Sequence, residues 1–141
     1  MNVSEVRQKV QRTIAEAKRR SSEQRAAREV AQRDYDQFLE GVAIPVCRMI
    51  LTALKAEGHP FALATPPGVV RLESTHAPGS FVELVLDESG DTPAVLVRSN
   101  VRLGRRTAGT ERPLARGRAL PSLTREDVLD AVLAEIEPLV G

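Results

Sequence analysis

Between residues 3 and 40 the apolar positions are sparse and small, and neither glycine nor proline interrupts them. Val3, Val6, Val10, Ala17, Ala27, Ala31 and Phe38 fall on a spacing of three and four, broken by Arg20, Gln24 and Asp34. The intervening residues are mostly Ala, Arg, Glu and Gln, all good helix formers. The pattern predicts one continuous helix of roughly 55 Å. Its seam is too thin to be held by burial of its own apolar face. Such a helix pairs with a copy of itself or with another protein, as a coiled coil does, or it stands as a solvated arm.

The pattern changes at Gly41 and Pro45, because proline suits a first helical turn and breaks an interior. A second helix is expected over 44–57, with Val46, Met49, Ile50, Ala53 and Leu54 on one face. Gly58 stops it and Pro60 follows. Period-two alternation then takes over. Short apolar runs at 61–65 and 69–74 flank a Pro66-Pro67-Gly68 turn, and 80–87 places Val82, Leu84 and Leu86 opposite Glu83 and Asp87. Over 94–103, Val95, Val97, Val101 and Leu103 share a face, and Arg98, Asn100 and Arg102 take the other. Ala77-Pro78-Gly79 and Ser89-Gly90-Asp91 have the chemistry of hairpin turns. Residues 104–121 hold three glycines, two prolines and five arginines, and read as a long loop with room for a short edge strand at 112–115. A last helix opens at Thr124, a capping residue followed by Glu126 and Asp127 at the positive end of the helix dipole. It carries Val128, Leu129, Val132, Leu133 and Ile136 as its stripe, and Pro138 is expected to end it.

The elements assemble into an α+β protein: a long N-terminal helix, then a two-layer domain. In that domain a three- to four-stranded antiparallel meander is covered on one face by two helices. The division expected is an arm at 1–40 and a domain at 41–141, and the domain should fold alone.

Charge refines this picture. The net charge of the 141 residues is +1, but it is unevenly spread. Segment 7–28 has eight basic and two acidic residues, and 98–118 has seven basic residues against Glu111, a net of +6 each. Arg12, Lys18, Arg19, Arg20, Arg98, Arg102, Arg105 and Arg106 are therefore candidate phosphate contacts. Aromatics are scarce, at 3% of residues, so stacking of single-stranded bases has few platforms. Cys47 is the single cysteine, which excludes an intrachain disulfide and suits a reducing compartment. No apolar run reaches the roughly 18 residues of a membrane helix, and the start lacks the apolar stretch of a secretory signal. A cytoplasmic protein without membrane contact is expected.

Candidate chemistry is thin. A nucleophile needs a base within hydrogen-bond reach. Cys47 lies beside an apolar helix face, and His59 follows the same helix roughly 18 Å away, too far for a dyad. Asp87-Glu88-Ser89-Gly90-Asp91 resembles the start of a calcium loop, but no acid follows to close it. Two isolated histidines, His59 and His76, and one cysteine make no zinc pattern. No glycine-rich phosphate loop is present. Glu73 and Glu83 can share the outer sheet face with Arg71, Arg98 and Arg102, where cross-strand ion pairs explain them. No enzymatic activity, cofactor or metal is expected. The expected role is a protein-interaction module that self-associates or docks a partner protein through residues 3–40. The alternative is a nucleic-acid accessory protein that uses the two basic segments.

Overall fold

The computed structural model describes every residue except Asp91, so part of the turn read at 89–91 lies outside the described residues. The elements, in order, are α1 (Val3–Phe38), a π-turn (Leu39–Ala43), α2 (Ile44–Ala56), β1 (Phe61–Ala64), β2 (Val70–Ser74), β3 (Phe81–Asp87), β4 (Ala94–Leu103), β5 (Arg106–Pro113), a 3-10 turn (Leu120–Ser122) and α3 (Arg125–Val140). The chain divides into two compact units, Met1–Gln32 and Arg33–Gly141.

The first unit is helical from Val3 onward, and Asn2 Oδ1 caps it by accepting from the Glu5 N–H at 2.9 Å. The second unit is the α+β domain. Its five strands lie side by side in chain order, each antiparallel to the next. One sheet face presents Val70, Leu72, Val82, Leu84, Val95 and Val97, all buried. Against it pack Val46, Cys47 and Ile50 of α2 with Val128, Ala131, Val132 and Ile136 of α3. These are the two layers that the alternation and the helical stripes imply. Thr124 caps α3 in a reciprocal box: its hydroxyl accepts from the Asp127 N–H at 3.2 Å, and the Asp127 carboxylate accepts from the Thr124 N–H at 2.8 Å.

Four expectations change. The sheet has five strands rather than three or four, because 106–113 forms β5 instead of loop. Its sequence, Arg-Thr-Ala-Gly-Thr-Glu-Arg-Pro, lacks apolar alternation because almost every residue in it is exposed. Backbone pairing to β4 defines the strand, not burial. Second, Gly41 and Pro45 do not interrupt the helix. The Ile44 N–H donates to the Leu39 carbonyl across a widened turn, and that turn accommodates a proline with no N–H to give. The extra residue also keeps Leu39, Ala43, Val46, Cys47 and Ile50 facing the core. Third, Pro138 lies inside α3, which continues to Val140. Fourth, the helical run Val3–Ala56 contains an 18-residue window of mean hydropathy 1.4, long and apolar enough to cross a membrane by length and composition. Single charges such as Glu40 and Arg48 hide that window from a count of uninterrupted apolar residues. Phe38, Leu39, Val46, Cys47 and Ile50, which contribute to its hydropathy, belong to the core against the sheet.

Tyr35 enters this core from the last turns of α1. Its hydroxyl donates to the Gly68 carbonyl at 2.7 Å and lies 3.3 Å from that of Leu84. Burial, with Asp36 and Glu83 nearby, pushes its pKa well above the ordinary value. Phe38 packs beside it, ring centroids 6.3 Å apart.

Candidate interaction surfaces

The seam expected along residues 3–40 separates into two populations. Val3, Val6, Val10, Ala17 and Ala27 are exposed, whereas Ala31 is buried and Phe38 is a core residue of the second unit. Ile14, four residues after Val10, is also exposed, and the sequence seam passes over it. The spacing signal for Ile14 was present, but a heptad step from Val10 to Ala17 skips it. Val6, Val10 and Ile14, with Met1, Lys9 and Thr13, line one apolar patch on the helix.

The basic candidates are also sorted. On α1, Arg12 and Lys18 are exposed and make no ion pair among the described residues, while Arg19 bridges Glu16 and Glu23 and Arg20 lies 3.7 Å from Glu16. Arg98 pairs with Glu111 on β5 at 2.8 Å. Arg102, Arg105 and Arg106 come together at the exposed turn between β4 and β5, where Gly104 takes φ +66°. Arg102 Nε donates to the Gly104 carbonyl at 3.3 Å, and among the described residues none of the three meets a carboxylate.

The outer sheet face carries a row of charge one residue wide. Arg71 stands opposite Glu83, Glu83 opposite Arg98, and Arg98 opposite Glu111, so signs alternate across four strands. Arg71 binds Glu83 at 2.7 Å and lies over the Phe81 ring, 4.4 Å from its centroid. This is the cross-strand pairing expected of Arg71, Glu83 and Arg98. Glu73 instead accepts from the Gly79 N–H at 3.1 Å in the β2–β3 turn. Gly79 adopts φ +91°, and a Cβ there would sit 3.2 Å from the Arg102 side chain.

The candidate chemical groups stay apart. Cys47 is buried, and desolvation pushes its thiol up to about 12, so it is a neutral core residue at pH 7. His59 and His76 are exposed in turns. Asp87 accepts from both the backbone and the hydroxyl of Ser89, a polar turn whose hydrogen bonds hold its carboxyl below the usual range. Among the described residues no group of three or more His, Cys, Asp or Glu side chains converges as metal ligands would.

One surface escaped the sequence reading. Between α2 and α3 runs a groove of about 500 Å³, lined by Val46, Met49, Ile50, Ala53, Leu54, Leu129 and Leu133, with Glu57, Arg125 and Glu126 at its rim. Met49, Leu129 and Leu133 are 54%, 37% and 44% exposed. The stripes had placed all three toward the core. Each stripe spans about 140° of helix circumference, more than the roughly 100° one packed face covers, and that excess was the available signal. Compared with protein-family models, curated proteins and solved structures, the chain matches none.

Proposed function

We propose that this protein is a non-enzymatic interaction module that associates through α1, with a copy of itself or with a protein partner. The observation that carries the reading is the exposed seam Val3, Val6, Val10 and Ile14 on a helix of 36 residues. Isolated helices in water owe little to propensity, and an apolar row of this kind gains stability when a second surface covers it. The ion pairs of Arg19 with Glu16 and Glu23 also favour this reading over phosphate binding, since they occupy an arginine the alternative needs.

Sedimentation over a range of protein concentrations tests it. The parent chain should associate with rising concentration. Val6→Asp with Val10→Asp should leave it monomeric, because burying a carboxylate in the contact is costly. Arg19→Ala with Arg20→Ala should behave as the parent. A parent that stays monomeric until DNA or RNA is added, and loses that shift without Arg19 and Arg20, would establish the nucleic-acid alternative instead.

A further inference from the structure

We propose that the groove between α2 and α3 receives residues 3–14 of α1 from a second copy of the chain. This rests on the self-association reading above and names the surface that covers the seam.

Three features carry it. The first is apolar match. The groove leaves Met49, Leu129 and Leu133 open to solvent, and the arm leaves Val3, Val6, Val10 and Ile14 open. A helix laid into a groove between two helices buries such a row at 3-4 spacing. The second is length. Val3 to Ile14 and Val46 to Glu57 each span twelve residues, about 16 Å between the end residues of a helix. The third is charge. Glu57, at the end of α2, and Glu126 of α3 line the groove rim with one cation, Arg125, and the exposed acids Asp130 and Glu137 continue the Glu126 flank of α3 at helical spacing. Among the described residues none of these four carboxylates has a hydrogen-bond or ion-pair partner, whereas those of Asp127 and Glu135 on the same helix are paired with Arg118 and Arg112. The arm segment is basic: Arg7 and Lys9 flank its seam and Arg12 follows, against Glu5 alone. Opposite rims of this kind fix the register of docking and repel a second acidic helix. Since the arm and the groove are different surfaces, two copies exchange arms reciprocally, and closure about a two-fold axis gives a dimer.

A mixing experiment decides it. The groove variant Leu133→Glu changes an exposed position, so folding should survive, as circular dichroism and a melt will show; Met49→Glu is the second groove variant. Each groove variant and the arm variant Val6→Asp/Val10→Asp should sediment as monomers. An equimolar mixture of arm and groove variants should recover dimers, because one intact arm meets one intact groove. Recovery should weaken in high salt. If the groove variants dimerise like the parent while the arm variant does not, the arms pair with each other; this inference falls and the interaction reading stands. If both variants are monomers and the mixture stays monomeric, arm and groove do not meet, and the inference falls. A parent that is monomeric at every concentration overturns self-association, and this inference with it, and leaves only the pairing of α1 with a different protein.

Discussion

Leu84 and Tyr35 show how much of this domain hangs on single side chains. Leu84 is buried at the centre of β3, opposite Val97 and within the core that both helices share with the sheet. Leu84→Asp places an unpaired carboxylate there, at a cost of several kcal/mol, and should abolish the thermal transition. Tyr35→Phe keeps the ring and removes the hydrogen bond to Gly68. It should cost about 1 kcal/mol, read as a lower denaturant midpoint at unchanged slope. Leu84 was legible in the sequence, because strict alternation assigns it to the core. Tyr35 was not: its partners are backbone carbonyls 33 and 49 residues away, and no local pattern announces them. Cys47 should resist thiol reagents in the folded protein and react on unfolding, since only the deprotonated thiol attacks.

Among the elements, α3 carries two acid-sensitive carboxyls, Asp127 and Glu135. Burial raises the pKa of Glu135, but hydrogen bonds from Arg112, Ser99 and Thr110 outweigh it and hold the carboxyl below its ordinary value of 4.5. At Asp127 the Thr124 N–H is the largest influence, and the net shift is again downward, helped by Arg118. A carboxyl whose folded pKa is lowered contributes its stability in full above the unfolded value and loses it as pH falls through the folded one. The melting temperature should therefore hold near neutrality and drop below about pH 4.5, and Glu135→Gln should flatten that acid limb. The helix's start was readable from Thr124 and the acids behind it. The opposite end of the fold was less so. Gly41 and Pro45 carry the usual marks of a boundary, yet the π-turn absorbs them, and Tyr35, Phe38 and Leu39 ahead of Gly41 are core residues. A chain beginning at Arg33 should melt cooperatively. One beginning at Gly41 lacks those three side chains and should be molten by near-ultraviolet dichroism and dye binding.

For the whole molecule, the two-layer plan and four of the five strands could be read from periodicity, because burial writes that signal. Strand β5 and the groove could not. An exposed strand has no reason to alternate, and an apolar stripe does not say which of its members a neighbour will cover. The charged row across β2, β3, β4 and β5 has a further effect on assembly. A one-residue slip of any strand turns its apolar residues to water and is forbidden on that ground. A two-residue slip keeps every face correct, so the hydrophobic pattern cannot detect it. Moved by two either way, Glu83 would face Leu96 or Asn100 in place of Arg98, Arg71 would face Phe81 or Val85 in place of Glu83, and Arg98 would meet Gly109 or Pro113 in place of Glu111. Each error strands a charge, and at Glu83 it strands one that is only 7% exposed. The row thus acts as a proofreading key for the meander, rejecting the mispaired hairpins that a greasy, evenly alternating sheet would accept.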